Sequence, residues 1–107
     1  MSLDVAEIVI RRDSERDIKF RGLEVFLDGT FIVDLFFNTT YRINVLPGEH
    51  TVKVSNHLYK KSVKVNVQNG ETVNLLAGNN FTLLGGLMVS ALGIGPYRVF
   101  LSEVDSP

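Results

Sequence analysis

The 107-residue chain has no cysteine and no tryptophan, only two histidines and three prolines. Without cysteine there is no disulfide framework, no thiolate zinc site and no thiol nucleophile. A chain of this length can bury a core without such staples, and residues 1–107 read as a single domain. An excess of one charge is also missing. Eleven Lys and Arg against 12 Asp and Glu give a net charge of −1, which supplies no general attraction to nucleic acid or anionic lipid. Nucleic acid is therefore not an expected partner. The first residues, MSLDVAEIVIRRD, do not read as a secretory signal, because Asp4 and Glu7 break the apolar run and no basic segment precedes it. Helical periodicity is absent from residues 1–80.

What the chain does have is period-two alternation. Ala6-Glu-Ile-Val-Ile-Arg reads as a first strand. Leu23-Glu-Val-Phe-Leu runs into Asp28-Gly29, a tight-turn pair suited to two positive φ angles, and Thr30 to Phe37 returns as the second arm. Tyr41, Ile43 and Val45 alternate with Arg42 and Asn44 and should face a core. Pro47-Gly48 turns the chain, and His50 to Ser55 leaves it with Val52 and Val54 inward. Val63, Val65 and Val67 form the clearest alternating strand, Asn69-Gly70 reverses it, and Glu71 to Leu76 answers. Tyr97 to Ser102 is a last strand. Seven or eight short strands with turns about every ten residues predict an all-β fold: a small antiparallel β-sandwich, immunoglobulin-like or prealbumin-like. The mixed-charge run RRDSERDIKFR, Arg11 to Arg21, reads as a solvated loop or a long hairpin connection.

The runs Val25-Phe-Leu-Asp-Gly-Thr, Tyr41-Arg-Ile-Asn-Val-Leu-Pro-Gly-Glu-His-Thr-Val-Lys-Val and Val67-Gln-Asn-Gly-Glu-Thr-Val-Asn-Leu follow one another in order. This series resembles the PEGA-type and carboxypeptidase-regulatory-like β-sandwich modules, and is similar to small uncharacterised bacterial proteins built on the same run. The resemblance covers about residues 5 to 77. It implies a module that binds or spaces proteins without catalysis of its own, in the cytoplasm or cell envelope of a bacterium. The chain departs from the PEGA pattern at Ile32-Val-Asp-Leu-Phe-Phe, where that family has a glycine and a proline, and it adds a glycine-rich segment at 81–96.

Catalysis needs converging groups, and the sequence shows none. His50 and His57 are seven residues apart on probable strand and turn positions, a spacing that does not bring two imidazoles onto one ion. Asp28 and Asp34 read as turn and solvent-face residues rather than as a carboxylate pair. The serines lie in no nucleophile elbow, and Gly85, Gly86, Gly93 and Gly95 form no phosphate-cradling loop. No cofactor, no metal and no enzymatic activity are expected. His50 reads as a structural histidine whose ring bonds a backbone group or lies across a neighbour. Lys53, Lys60, Lys61 and Lys64, with Tyr59, read as outward residues that keep a sheet soluble and discourage edge pairing.

The remaining feature is FTLLGGLMVSALGIGPY, Phe81 to Tyr97, 17 residues without a charge. It is shorter than the roughly 20 apolar residues of a spanning helix, and its four glycines weaken any helix in water. Three readings stay open: a covered part of the sandwich, an apolar surface that buries itself against a second copy or another protein, and a segment that dips into a membrane. Phe36 and Phe37 are consecutive, so on one strand they point to opposite faces, and one of them needs cover from outside the core. The resulting expectation is a non-catalytic interaction module that self-associates through Phe36, Phe37, Leu84, Leu87, Met88, Leu92 and Ile94. The alternative is a binding protein for an apolar small molecule, with Phe31, Phe36, Phe81, Leu84, Met88 and Leu92 lining a pocket.

Overall fold

Alternating apolar and polar residues produce eight strands in the computed structural model, which describes residues 4–15, 17, 22–57, 59–81 and 97–104. They are β1 (Ala6–Arg12), β2 (Leu23–Leu27), β3 (Thr30–Leu35), β4 (Thr39–Val45), β5 (Gly48–Ser55), β6 (Lys60–Val67), β7 (Thr72–Phe81) and β8 (Tyr97–Val104). No helix occurs among the described residues. Two four-stranded sheets result, β4-β1-β7-β8 (sheet A) and β3-β2-β5-β6 (sheet B). This is the all-β sandwich the alternation predicts. An immunoglobulin-like sandwich keeps its first two strands in one sheet. Here β1 and β2 lie in opposite sheets, which leaves the prealbumin-like wiring of the two alternatives.

One pairing breaks the antiparallel rule. β1 runs parallel to β7, with Ile8 opposite Val73 and Ile10 opposite Leu75, while its other edge pairs antiparallel with β4. β1 is thus a central strand of sheet A, as β2 and β5 are of sheet B. Central strands supply the deepest side chains. Ile8, Ile10, Leu23, Val25, Val52, Val54 and Leu75 are fully buried between the sheets, and each contributes about 1.5–3 kcal/mol on leaving water. The buried core is aliphatic, and Tyr41 and Tyr59 pack against it from the rim.

A β-bulge shapes the edge of sheet B. Val25 is opposite Val33 but Phe26 is opposite Phe31, so Ile32 is the extra residue. Ile32 and Val33 both pack on the core in consequence. Phe31, which would otherwise share the inward side with Val33 and Leu35, meets the Phe26 ring edge-on at 5.8 Å on the outer face.

Beyond β1, β7 continues alone on that side. The last β7 residue paired with β1 is Leu76, and β7 runs on to Phe81. Gly78 falls in this overhang, opposite Phe100 of β8. A Cβ there would lie 2.6 Å from the Phe100 ring and 2.8 Å from Asp17 Oδ2. Both approaches depend on the missing side chain. Gly78→Ala is expected to cost about 1–3 kcal/mol, read as a lower urea midpoint with an unchanged slope.

Candidate functional site

The two ends of the sandwich are built differently. At one end all three connections are tight turns. Asp28 and Gly29 take φ of 49° and 87°, Gly48 takes 132° and Gly70 takes 77°. These positive angles explain Asp-Gly, Pro-Gly and Asn-Gly at these places. The Asp28 carboxylate accepts from Thr51 N at 2.7 Å and meets His50 Nδ1 at 2.7 Å. His50 Nε2 lies 2.6 Å from the Leu46 carbonyl oxygen. A carboxylate and a carbonyl both accept, so the form this geometry favours is the imidazolium, with both ring nitrogens donating. The Leu46 carbonyl and then Asp28 raise the His50 pKa above its usual 6.5. The His50 bond, followed by Thr51 N–H, lowers Asp28 below its usual 3.8. With both nitrogens donating, the ring has no lone pair to act as a base. His50 ties the β2–β3 turn to the β4–β5 corner, the structural part its position predicts.

At the other end lie residues 13–22, the Phe36–Asn38 corner, the turn at 56–59, and the link from Phe81 to Tyr97. A buried polar network joins the sheets there. Arg12 and Asn79 are fully buried, and Asp17 and Asn56 nearly so. Arg12 Nε and Nη2 donate to the two Asp17 oxygens at 2.7 and 3.3 Å, and Nη1 donates to the Leu35 carbonyl at 2.7 Å. Asp17 Oδ1 also accepts from Asn79 N at 3.3 Å, taking the place on the β7 edge that β1 has vacated. Asn79 Oδ1 accepts from Asn56 Nδ2 at 2.9 Å, and Asn56 Oδ1 accepts from Tyr59 N at 2.7 Å.

This corrects the reading of Arg11 to Arg21 as solvated throughout. Arg11 and Arg12 belong to β1, and Arg12 follows Ile8 and Ile10 on the inward side. That alternation was the available signal for Arg12, and Val73, Leu75 and Ala77 carried the same signal for Asn79. Asp17 gave none.

Among the expected interaction residues, Phe36 is 58% exposed, and its ring lies over Gly22, where an added Cβ would sit 3.1 Å away. Phe37 is half-buried. Leu84, Leu87, Met88, Leu92 and Ile94 lie outside the described residues. Of the alternative pocket, Phe31 and Phe36 are five residues apart along β3 and its end, roughly 16 Å, on the outer side of sheet B and not between the sheets. Phe81 ends β7. Phe31 sits near the tight-turn end and Phe36 at the other, so the structure does not bring these two together.

Lys53, Lys60 and Lys64 share the outer face of sheet B by register, with Lys53 Nζ 4.3 Å from the centre of the Phe26 ring. Lys61 is opposite Val54, on the inward side at the exposed start of β6. His57 lies near Glu24 at 3.6 Å, at the opposite end from His50. Among the described residues no group of three or more His, Asp or Glu could hold a metal ion. No helix among them is long and apolar enough to cross a membrane.

Two predictions follow from these ends. Asp17→Ala leaves a buried guanidinium without its counter-ion and is expected to cost about 3–5 kcal/mol in chemical denaturation. Replacing both partners by Arg12→Met and Asp17→Leu is expected to cost less than that single change. The second concerns pH. A raised His50 pKa stabilises fully below pH 6.5 and is lost as pH rises through the folded value. A lowered Asp28 pKa stabilises above pH 3.8 and is lost as pH falls through its folded value. Between these limits the wild-type melting temperature should exceed that of His50→Gln, and the difference should narrow above neutrality.

No family model matches this chain, no curated protein matches it, and no solved structure matches it.

Proposed function

We propose that the protein is a non-catalytic interaction module that self-associates through the end of the sandwich bearing Phe36, Phe37 and the apolar segment. The observation that carries this reading is the pairing of Phe81 with Tyr97 across β7 and β8. The 15 uncharged residues 82–96 therefore leave and rejoin sheet A at one point. That point lies at the end where the Phe36–Asn38 corner meets β1, with Asn38 N donating to Arg12 O. Exposed Phe36 and the two points where the apolar stretch leaves and rejoins sheet A thus lie at one end of the molecule.

Magnitudes favour a second copy. Burying Leu84, Leu87, Met88, Leu92 and Ile94 yields roughly 7–15 kcal/mol, about what association consumes in lost freedom, roughly 4–15 kcal/mol. A two-fold contact supplies this apolar surface from both sides and leaves a surplus. A single membrane passage conflicts with the pairing, because β7 and β8 are neighbours in one sheet. The resemblance of the turn pattern to PEGA-type modules agrees with a binding role. The small-molecule alternative loses support from the separation of Phe31 and Phe36.

Light scattering coupled to size exclusion tests this. The intact chain is expected to run as a defined oligomer. Leu84→Asp/Leu87→Asp/Leu92→Asp is expected to run as a monomer with an unchanged circular dichroism spectrum, and Phe36→Ser to weaken the oligomer. A monomeric wild type, or an unfolded triple variant, would overturn the proposal.

A further inference from the structure

A second candidate site lies on the outer face of sheet A, around Val9 in the middle of β1. Val9 points outward on β1 and does not belong to the core cluster, yet it is only 2% exposed. The long side chains around it account for this. Glu7 and Arg11 flank it on β1, Arg42 is opposite on β4 and Asn74 opposite on β7. With Thr40 and Thr72 these residues line a cleft of about 420 Å³ floored by Val9. That volume falls within the range of small-molecule sites.

The chemistry of the lining is directional. Two guanidinium groups, two hydroxyls and one carboxamide offer donors, against one carboxylate in the cleft. Arg11 is mostly covered, its Nε is buried without a hydrogen bond among the described residues, and its nearest carboxylate, Asp13 Oδ1, stands at 3.7 Å. A covered guanidinium with an unused donor favours an added acceptor. Arg42 is 65% exposed and, among the described residues, its ion pair is a 3.3 Å contact to Glu7 Oε1, which Thr72 Oγ1 also approaches at 3.4 Å. Glu7 therefore occupies the position relative to Arg42 that an incoming acceptor would take. We propose that this cleft binds a small oxyanion, a carboxylate or phosphate group held between Arg11 and Arg42 with Thr40, Thr72 and Asn74 as neutral donors, and that Glu7 competes with it.

Competition gives the test two opposite signs. The intact protein is titrated with sodium phosphate, and separately with sodium succinate, at matched ionic strength, while backbone amide shifts are followed by NMR. Expected are saturable shifts centred on Val9, Thr40, Thr72 and Asn74 with at least one probe. The tighter probe identifies the group as phosphate or carboxylate. Glu7→Gln removes the competing charge and should tighten binding roughly 3- to 10-fold, while Arg42→Gln should weaken it by a similar factor. Both positions are at least partly exposed, so both variants should keep the wild-type spectrum outside the cleft. Shifts that stay linear with both probes, or affinities that do not move in opposite directions in the two variants, would overturn the proposal. Neither result depends on the oligomeric state.

Discussion

The ion pair between Arg12 and Asp17 is the contact on which one whole end of this sandwich depends. β1 stops at Arg12 while its neighbour β7 continues, which would leave backbone donors of a central strand facing nothing. Asp17 fills that gap by accepting the Asn79 N–H, and Arg12 neutralises the carboxylate that does so. Its third bond, to Leu35 O, fastens the end of β3 in the opposite sheet. A buried ion pair is weak evidence of net stability, since desolvation offsets most of the attraction. Its effect here is geometric. It holds Asp17 at that end of the sandwich, and the asparagine chain that follows fixes the β5–β6 turn against β7.

The two ends divide labour accordingly. Tight turns need particular residues and leave little surface to vary, and here they are cross-tied by His50 and Asp28. The opposite end carries the exposed Phe36 and the two points, Phe81 and Tyr97, where the uncharged stretch leaves and rejoins sheet A, beside the buried hydrogen bonds. Binding residues commonly sit on connections held by a fixed scaffold. The outer lysines on β5 and β6 give the opposite signal. Lys60, Lys61 and Lys64 line the edge strand of sheet B and oppose pairing there.

Much of the architecture was legible because it is local. Val63, Val65 and Val67 name their own face, and Asp28-Gly29, Pro47-Gly48 and Asn69-Gly70 name their own turns. The features that escaped are non-local or break the period. The bulge at Ile32 changes the side on which Phe31 emerges, and nothing in Thr30 to Leu35 marks the extra residue. The parallel β1–β7 pairing joins residues 65 apart and leaves no trace in either strand. Arg12 was readable from the alternation of β1, but the density of charge around it pointed to solvent. Asp17 became a buried partner only because β1 ends where it does. The oxyanion cleft needed the register of three strands to bring Arg11, Arg42 and Thr72 together.

The parallel pairing of β1 and β7 also governs the order in which the chain can assemble. Sheet B uses residues 23–67 and pairs only antiparallel neighbours, so its strands can meet as they are made. β1 precedes β7 in the chain by about 60 residues and gains its second partner only when β7 is made. At ~5–20 residues per second its β7 edge stays open for roughly 3–13 s while the intervening residues are translated. An unpaired strand of sequence AEIVIRR is the kind of segment that joins other nascent chains, and charges at its ends oppose this. Arg11 and Arg12 then act twice in the life of the molecule. Their charges would oppose aggregation of the waiting strand, and in the native fold Arg12 becomes the buried anchor while Arg11 turns to the outer face.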